Sequence, residues 1–118
     1  MGLDLSFWKY KEGTYLNNQS TYEKCSNGEN VEGLENLPVE SIISDVKKEF
    51  PNWKILAGDK NFESPGNKGA FEIFASPQFV RFDCYGMGQD DLNRIIDIML
   101  EYDCPLYDSQ ISERFDGR

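Results

Sequence analysis

The chain has no histidine, few cysteines and no long apolar run, and each shortage excludes a class of function. Its 118 residues include three cysteines and no histidine, so the commonest general base and the commonest transition-metal ligand are both missing. Apolar runs extend over only a few residues, whereas a membrane-spanning helix needs about 18–20. No basic region followed by an apolar stretch opens the sequence, so we expect a cytoplasmic protein without a signal peptide.

The cysteines do not form a recognisable site. Cys25, Cys84 and Cys104 are widely spaced and no C-x-x-C pair is present, which does not fit a zinc ribbon or a thioredoxin-type site. Cys84 falls in an apolar strand pattern, and Cys104 stands before Pro105 without a basic neighbour that would activate its thiol. We therefore predict a protein that is not an enzyme and that has no metal site and no cofactor. An enzyme that uses carboxylates or Cys104 is the less favoured alternative.

The charge is strongly negative and unevenly distributed. Aspartate and glutamate number 21 against 12 lysines and arginines, which gives a net charge of −9. Residues 21–50 hold seven acids and three bases, residues 89–118 hold eight acids and three bases, and the remaining segments are neutral. Such a surface attracts a basic protein and repels nucleic acid and anionic membrane. We expect a protein partner, with neither nucleic acid nor membrane.

Apolar periodicity predicts one α+β domain over residues 1–118. Alternation predicts a strand at 3–10, and apolar spacing of 3.6 residues predicts helices at 39–50 and 90–102. A capping box that starts at Ser20 predicts a short extra helix, and two further strands are expected near 70–75 and 78–85. An edge strand at 106–107 would complete a ferredoxin-like βαββαβ order, an antiparallel sheet with the two main helices on one face.

The face of the sheet turned away from those helices is predicted to be aromatic. It would carry Trp8, Tyr10, Phe74, Phe79 and Tyr85. Aromatic side chains on a sheet of this kind can stack RNA bases, but RNA-binding domains are basic and this chain is acidic. The rings are therefore expected to lie under the extra helix, in a homodimer interface, or in a protein-binding site, where tyrosine and tryptophan are typical anchors.

Four stretches carry a family resemblance. They are residues 1–9 (MGLDLSFWK), 31–38 (VEGLENLP), 76–86 (SPQFVRFDCYG) and 103–108 (DCPLYD). Spread over nearly the whole length, they are similar to small acidic bacterial immunity proteins of contact-dependent growth inhibition and polymorphic toxin systems. The resemblance implies a cytoplasmic protein that binds and neutralises one cognate toxin C-terminal domain. Such toxins are often basic nucleases. The resemblance assigns no binding residue.

We therefore predict an immunity protein whose acids imitate the phosphates of the toxin's substrate and cover its active site. A structural or regulatory homodimeric binding protein is the alternative. The candidate toxin-binding residues are the acids of the last helix and its flank, two acids of the first acidic segment and two aromatic anchors: Asp90, Asp91, Asp97, Glu101, Asp103, Glu32, Glu35, Trp8 and Tyr10.

Overall fold

Seven strands form one antiparallel sheet in the computed structural model of the chain, which describes residues 2–56, 58–66 and 68–115. No helix of the described ranges is long and apolar enough to cross a membrane. In chain order the elements are β1 (Gly2–Phe7), α1 (Asn18–Ser26), α2 (Val39–Glu49), β2 (Lys54–Leu56), β3 (Asn61–Glu63), β4 (Ala70–Ser76), β5 (Phe79–Tyr85), α3 (Gln89–Glu101), β6 (Leu106–Asp108) and β7 (Glu113–Arg114).

The strand order confirms the ferredoxin-like prediction. The sheet runs β2-β3-β4-β5-β1-β6-β7, so β5 lies between β1 and β4, which are joined by a connection that contains α2. This insertion is the split βαβ arrangement. The β2–β3 hairpin extends one edge and the short β7 extends the other. The sequence did not predict β3, because its three residues follow a stretch without clear periodicity.

The two main helices form where the apolar stripes predicted them. In α2, Ile42 and Val46 are fully buried, and Pro51 prevents the helix from continuing beyond Phe50. In α3, Leu92, Ile95 and Met99 point inward at helical spacing. Gly88 caps the start of α3, and Asp90 and Asp91 in its first turn suit the positive end of the helix dipole.

Both helices pack on one face of the sheet over a helix-side core. The strands supply apolar residues of the predicted parity, among them Leu5, Phe7 and Phe82. Phe71 lies at the centre of a group of rings: its centroid is 4.7 Å from that of Phe62 and 5.9 Å from that of Phe82. The core is apolar throughout, so burial of hydrophobic surface holds the two helices on the sheet.

The opposite face is covered by α1 and by the segment 27–37. Trp8, Phe79 and Tyr107 are fully buried there and, together with Cys25, belong to a second core. Four of the five predicted rings, Trp8, Tyr10, Phe74 and Phe79, therefore belong to the core covered by the chain's own extra helix, one of the three arrangements that the sequence left open, whereas Tyr85 is 47% exposed. A dimer made by two sheet faces would have to displace this cover.

Two predicted boundaries near this cover are corrected. The predicted first strand ran to residue 10, but β1 ends at Phe7, and Tyr10 makes only an isolated bridge to Leu34. Helix α1 is capped by Asn17, whose side-chain oxygen accepts from the Ser20 N–H at 2.8 Å, rather than by Ser20 itself. Because an asparagine three residues earlier serves as the N-cap, the helix starts about one turn sooner than expected.

Candidate functional site

The predicted acids of the last helix lie at its two ends. Asp90 and Asp91 are in the first turn of α3, while Asp97 and Glu101 are in its last two turns. A helix of this length separates its ends by about 18 Å. Asp91 contacts Arg94 at 3.7 Å between Oδ1 and Nη1. No ion pair to Asp97 or Glu101 is found among the described residues.

Asp97 and Glu101 line a groove between α2 and α3, which we call the helix groove. Its volume is about 310 Å³. On the α2 side it is lined by Asp45 and Glu49, which are not among the residues that the sequence predicted for the site. Each helix thus contributes two carboxylates spaced four residues apart, and the pairs meet at the groove. Each pair of like charges at this spacing destabilises an isolated helix by roughly 0.2–0.5 kcal/mol.

Few of the groove's charges are compensated from within. Arg94 approaches Glu49 at 3.8 Å, and its side chain is half exposed. Tyr102 donates a hydrogen bond to Asp45. That bond raises the pKa of the Tyr102 hydroxyl to about 12, with burial as the second cause. The groove therefore keeps an excess of negative charge open to solvent, with Lys48 as its remaining cation.

Two further predicted acids meet at a single lysine. Lys9 Nζ lies 3.5 Å from Glu35 Oε2 and 3.6 Å from Asp103 Oδ2, so Glu35 and Asp103 are neighbours although 68 residues separate them in the chain. Attraction to Glu35 is the main cause that raises the pKa of the Lys9 ammonium. All three side chains are substantially exposed. Ion pairs of this kind contribute little stability.

The remaining predicted residues lie elsewhere. Glu32 is exposed in the segment 27–37, over the second core and apart from the helix groove. Trp8 is 0% exposed, so its side chain cannot be a surface anchor, and that prediction is corrected. Tyr10 is half-buried, and its hydroxyl donates to Asn18 Oδ1 at 2.6 Å. Both rings support α1, because β1 directs Trp8 to the face that α1 covers.

A second depression lies at the end of the sheet that carries β7; we call it the aromatic cleft. Its volume is about 540 Å³. It is lined by the segment 9–15, by the end of α3 and by the strand end at Phe115. Tyr15 is 65% exposed there, and Leu100 and Phe115 are each 49% exposed. The sequence did not predict the cleft, because the apolar residues of the cleft come from three distant segments and share no spacing.

The cysteines lie in the two cores rather than at a surface site. Burial raises the pKa of the Cys25 thiol to about 11 and those of Cys84 and Cys104 to about 12. A nucleophilic cysteine needs the opposite shift. Over residues 2–56, 58–66 and 68–115, no group of three or more acidic, cysteine or histidine side chains is arranged to hold a metal ion.

Two carboxylates face each other on the α1 side of the sheet. Asp4 on β1 is directly opposite Asp83 on β5. Asp83 forms a two-point ion pair with Arg81, with Nε–Oδ1 at 2.8 Å and Nη2–Oδ2 at 3.2 Å, and Asp4 accepts from Tyr22 at 3.0 Å. Burial raises the pKa of Asp83, the Arg81 bond lowers it, and Asp4 raises it, with a net rise. This partly buried pair is a structural feature of the sheet.

No protein-family model matches the chain, and no curated protein matches it.

Proposed function

We propose that the protein is an immunity protein that binds a basic toxin domain through the outer surface of α2 and α3. The toxin domain is a nuclease whose active-site cleft is lined by cations, and the acids of the two helices occupy that cleft in place of the substrate phosphates. Binding prevents the toxin from reaching its substrate and needs no chemistry from this chain. The observation that carries the proposal is the helix groove, where Asp45, Glu49, Asp97 and Glu101 meet.

The charge of the helix layer supports this partner class. Helices α2 and α3 together carry seven carboxylates and three basic side chains. Acidic pairs that oppose one another across a groove destabilise the free protein slightly, and a cationic partner relieves that repulsion when it binds. Complementary charge also speeds association, since it steers the partner during diffusion.

The two alternatives receive less support. An enzyme that uses Cys104 would require a thiolate, yet burial raises the pKa of that thiol to about 12. A homodimer formed by two sheet faces would need the aromatic face to be open, yet Trp8, Phe79 and Tyr107 are fully buried under α1 and the segment 27–37.

The proposal is tested with purified nuclease toxin domains of contact-dependent growth inhibition systems. Each domain is assayed for nuclease activity with and without this protein, and association and dissociation rates are measured at about 50 mM and 500 mM salt. We expect stoichiometric inhibition of one domain, with an association rate that falls steeply as salt screens the charges. Tight binding with the same association rate at both salt concentrations would reject the role of the acidic groove. If this protein does not inhibit the toxin domain encoded beside its own gene, the immunity function is rejected.

A further inference from the structure

The aromatic cleft presents apolar surface to solvent. Of the seven large hydrophobic side chains exposed among the described residues, three line this cleft: Tyr15, Leu100 and Phe115. Single exposed hydrophobic residues are ordinary, but several that converge on one depression mark a binding surface. With a volume of about 540 Å³, the cleft can hold a large aromatic side chain.

Two of the three cations that line the cleft are engaged within the chain, while the third, Lys11, is exposed. Lys9 lies between Glu35 and Asp103. The Arg114 guanidinium lies over the Tyr10 ring at 4.8 Å and donates to the Trp8 carbonyl oxygen at 2.8 Å. These contacts make both side chains part of the cleft wall.

The negative groups at the same place are open. Glu12 in the cleft wall and Glu101 at the end of α3 are exposed and have no ion pair among the described residues. The last turn of α3 contains no basic side chain, although the carboxyl end of a helix favours one. The charge that the helix groove accepts from outside is therefore positive.

The aromatic cleft and the helix groove are both lined by residues of the last turns of α3. Leu100 lines the cleft, whereas Asp97 and Glu101 line the groove. A helix with its side chains is about 10–12 Å wide. A short extended segment can therefore reach both depressions at once.

We propose that the aromatic cleft receives an aromatic side chain of the partner protein while basic side chains of the same segment enter the helix groove. The inference rests on the proposed function for the class of partner and adds which part of that partner is held. Tryptophan and arginine are the residues most enriched among binding hot spots, and a desolvated aromatic anchor beside charge pairs is their usual setting. A second copy of this chain is a poorer occupant, because both copies would carry a net charge of −9.

The test uses a synthetic probe, so it does not depend on finding the toxin. The capped peptide acetyl-Arg-Arg-Gly-Trp-amide is titrated into the isotope-labelled full-length protein, and backbone and side-chain NMR shifts are followed. We expect saturable shifts at Tyr15, Leu100 and Phe115 together with shifts at Asp97 and Glu101. The peptide acetyl-Arg-Arg-Gly-Ala-amide should retain only the groove shifts, and acetyl-Glu-Glu-Gly-Trp-amide should bind at least tenfold more weakly.

A pair of leucine variants provides the matched control. Leu100→Ala should lower the affinity for the tryptophan-containing peptide roughly three- to tenfold. Leu56→Ala, which removes an exposed leucine from the edge strand β2, should leave its affinity unchanged. Equal effects of the two variants, stronger binding of the acidic probe, or shifts that do not involve the cleft would each overturn the inference.

The two proposals fail in different ways. If the probe binds as expected but no toxin domain is inhibited, the cleft is a binding site and the immunity function is wrong. If a toxin domain is inhibited but Leu100→Ala affects neither its binding nor that of the probe, the immunity function stands and the role of the cleft is wrong.

Discussion

The covers on the two faces of the sheet are held by different kinds of interaction. On the helix side, α2 and α3 each present a continuous apolar stripe to a core of aliphatic and aromatic residues. On the other side, α1 buries only Thr21 and Cys25, and the segment 27–37 is held by a side chain that lies 47 residues away. Hydrophobic burial therefore determines the first cover, whereas hydrogen bonds and aromatic contacts determine the second.

Gln78 is the main polar link of the second cover. Its side-chain oxygen accepts from the Val31 N–H at 2.9 Å, and its amide nitrogen donates to the Val31 and Leu34 carbonyls at 2.9 and 3.3 Å. Tyr107 and Tyr22 add hydroxyl hydrogen bonds to Gln19 and Asp4. From this difference we expect the side with the strong apolar stripes to be the more stable part of the fold, and the second cover to be more sensitive to the loss of a single polar contact.

The largest expected effect comes from a phenylalanine on the helix side. Phe71→Ala removes the ring between Phe62 and Phe82 and should lower the free energy of unfolding by about 3–5 kcal/mol. Phe74→Ala, in the same strand but on the other face and only half-buried, should cost about 1–2 kcal/mol. Urea denaturation measures both. Equal losses would show that the two covers contribute equally.

A smaller loss of stability is expected when the hydrogen bonds of Gln78 are removed. Gln78→Met keeps the side-chain volume but leaves the Val31 N–H and carbonyl without their partner, which should cost about 2–3 kcal/mol. Amide hydrogen exchange should speed up in the segment 27–37 and stay unchanged in α3. Gln89→Met, at the exposed start of α3, is the control and should be close to neutral. Unchanged exchange in 27–37 would contradict the role given to Gln78.

A pH effect comes next in size. Asp83 has a raised pKa, so its contribution to stability is fully present below the pKa of an unfolded aspartate and is lost as pH rises through the folded value. Asp4→Asn removes one cause of that rise while its oxygen can still accept from Tyr22. As pH rises from 3 to 7, the free energy of unfolding of the variant should therefore gain roughly 0.2–1 kcal/mol relative to that of the wild type.

Glu72→Gln is the matched control for that measurement. Glu72 is also opposite Asp83, on β4, but it is exposed and is not among the groups that shift the pKa of Asp83. Thermal unfolding across the pH range should show no comparable gain for it. A gain of the same size would mean that general surface repulsion, rather than the Asp4–Asp83 pair, sets the pH dependence.

The smallest difference is expected in thiol labelling. All three cysteines are buried, so alkylation at pH 8 has to wait for local opening. Cys25, on the buried side of α1, should react before Cys84 and Cys104, because α1 contributes fewer apolar side chains than the helices of the other face. Mass spectrometry of partly labelled protein gives the order, and labelling in denaturant gives the intrinsic rates. Early labelling of Cys104 would revive the enzyme hypothesis.

The sequence predicted the helix side well and the other side poorly, for one reason. Periodicity at Ile42, Val46, Ile95 and Met99 is a local signal that survives in the fold. The burial of Trp8, by contrast, depends on a cover fixed by Gln78, and nothing near Trp8 in the sequence reveals that contact.

The candidate site shows the same limit. Asp97 and Glu101 could be selected from their spacing, but their approach to Asp45 and Glu49 depends on how α2 and α3 pack. The meeting of Glu35 with Asp103 at Lys9, and the convergence of Tyr15 and Leu100 at the cleft, are likewise properties of the tertiary structure alone.

The central claim is that the acids of the helix groove, rather than the net charge of the molecule, attract the partner. The most direct measurement compares two double variants that each remove two charges: Asp97→Asn with Glu101→Gln in the groove, and Glu29→Gln with Glu32→Gln in the exposed segment over the second core. At low salt, stopped-flow association with the inhibited toxin domain should slow by roughly three- to tenfold for the groove variant and by less than about twofold for the other. Equal slowing of both variants would contradict the claim.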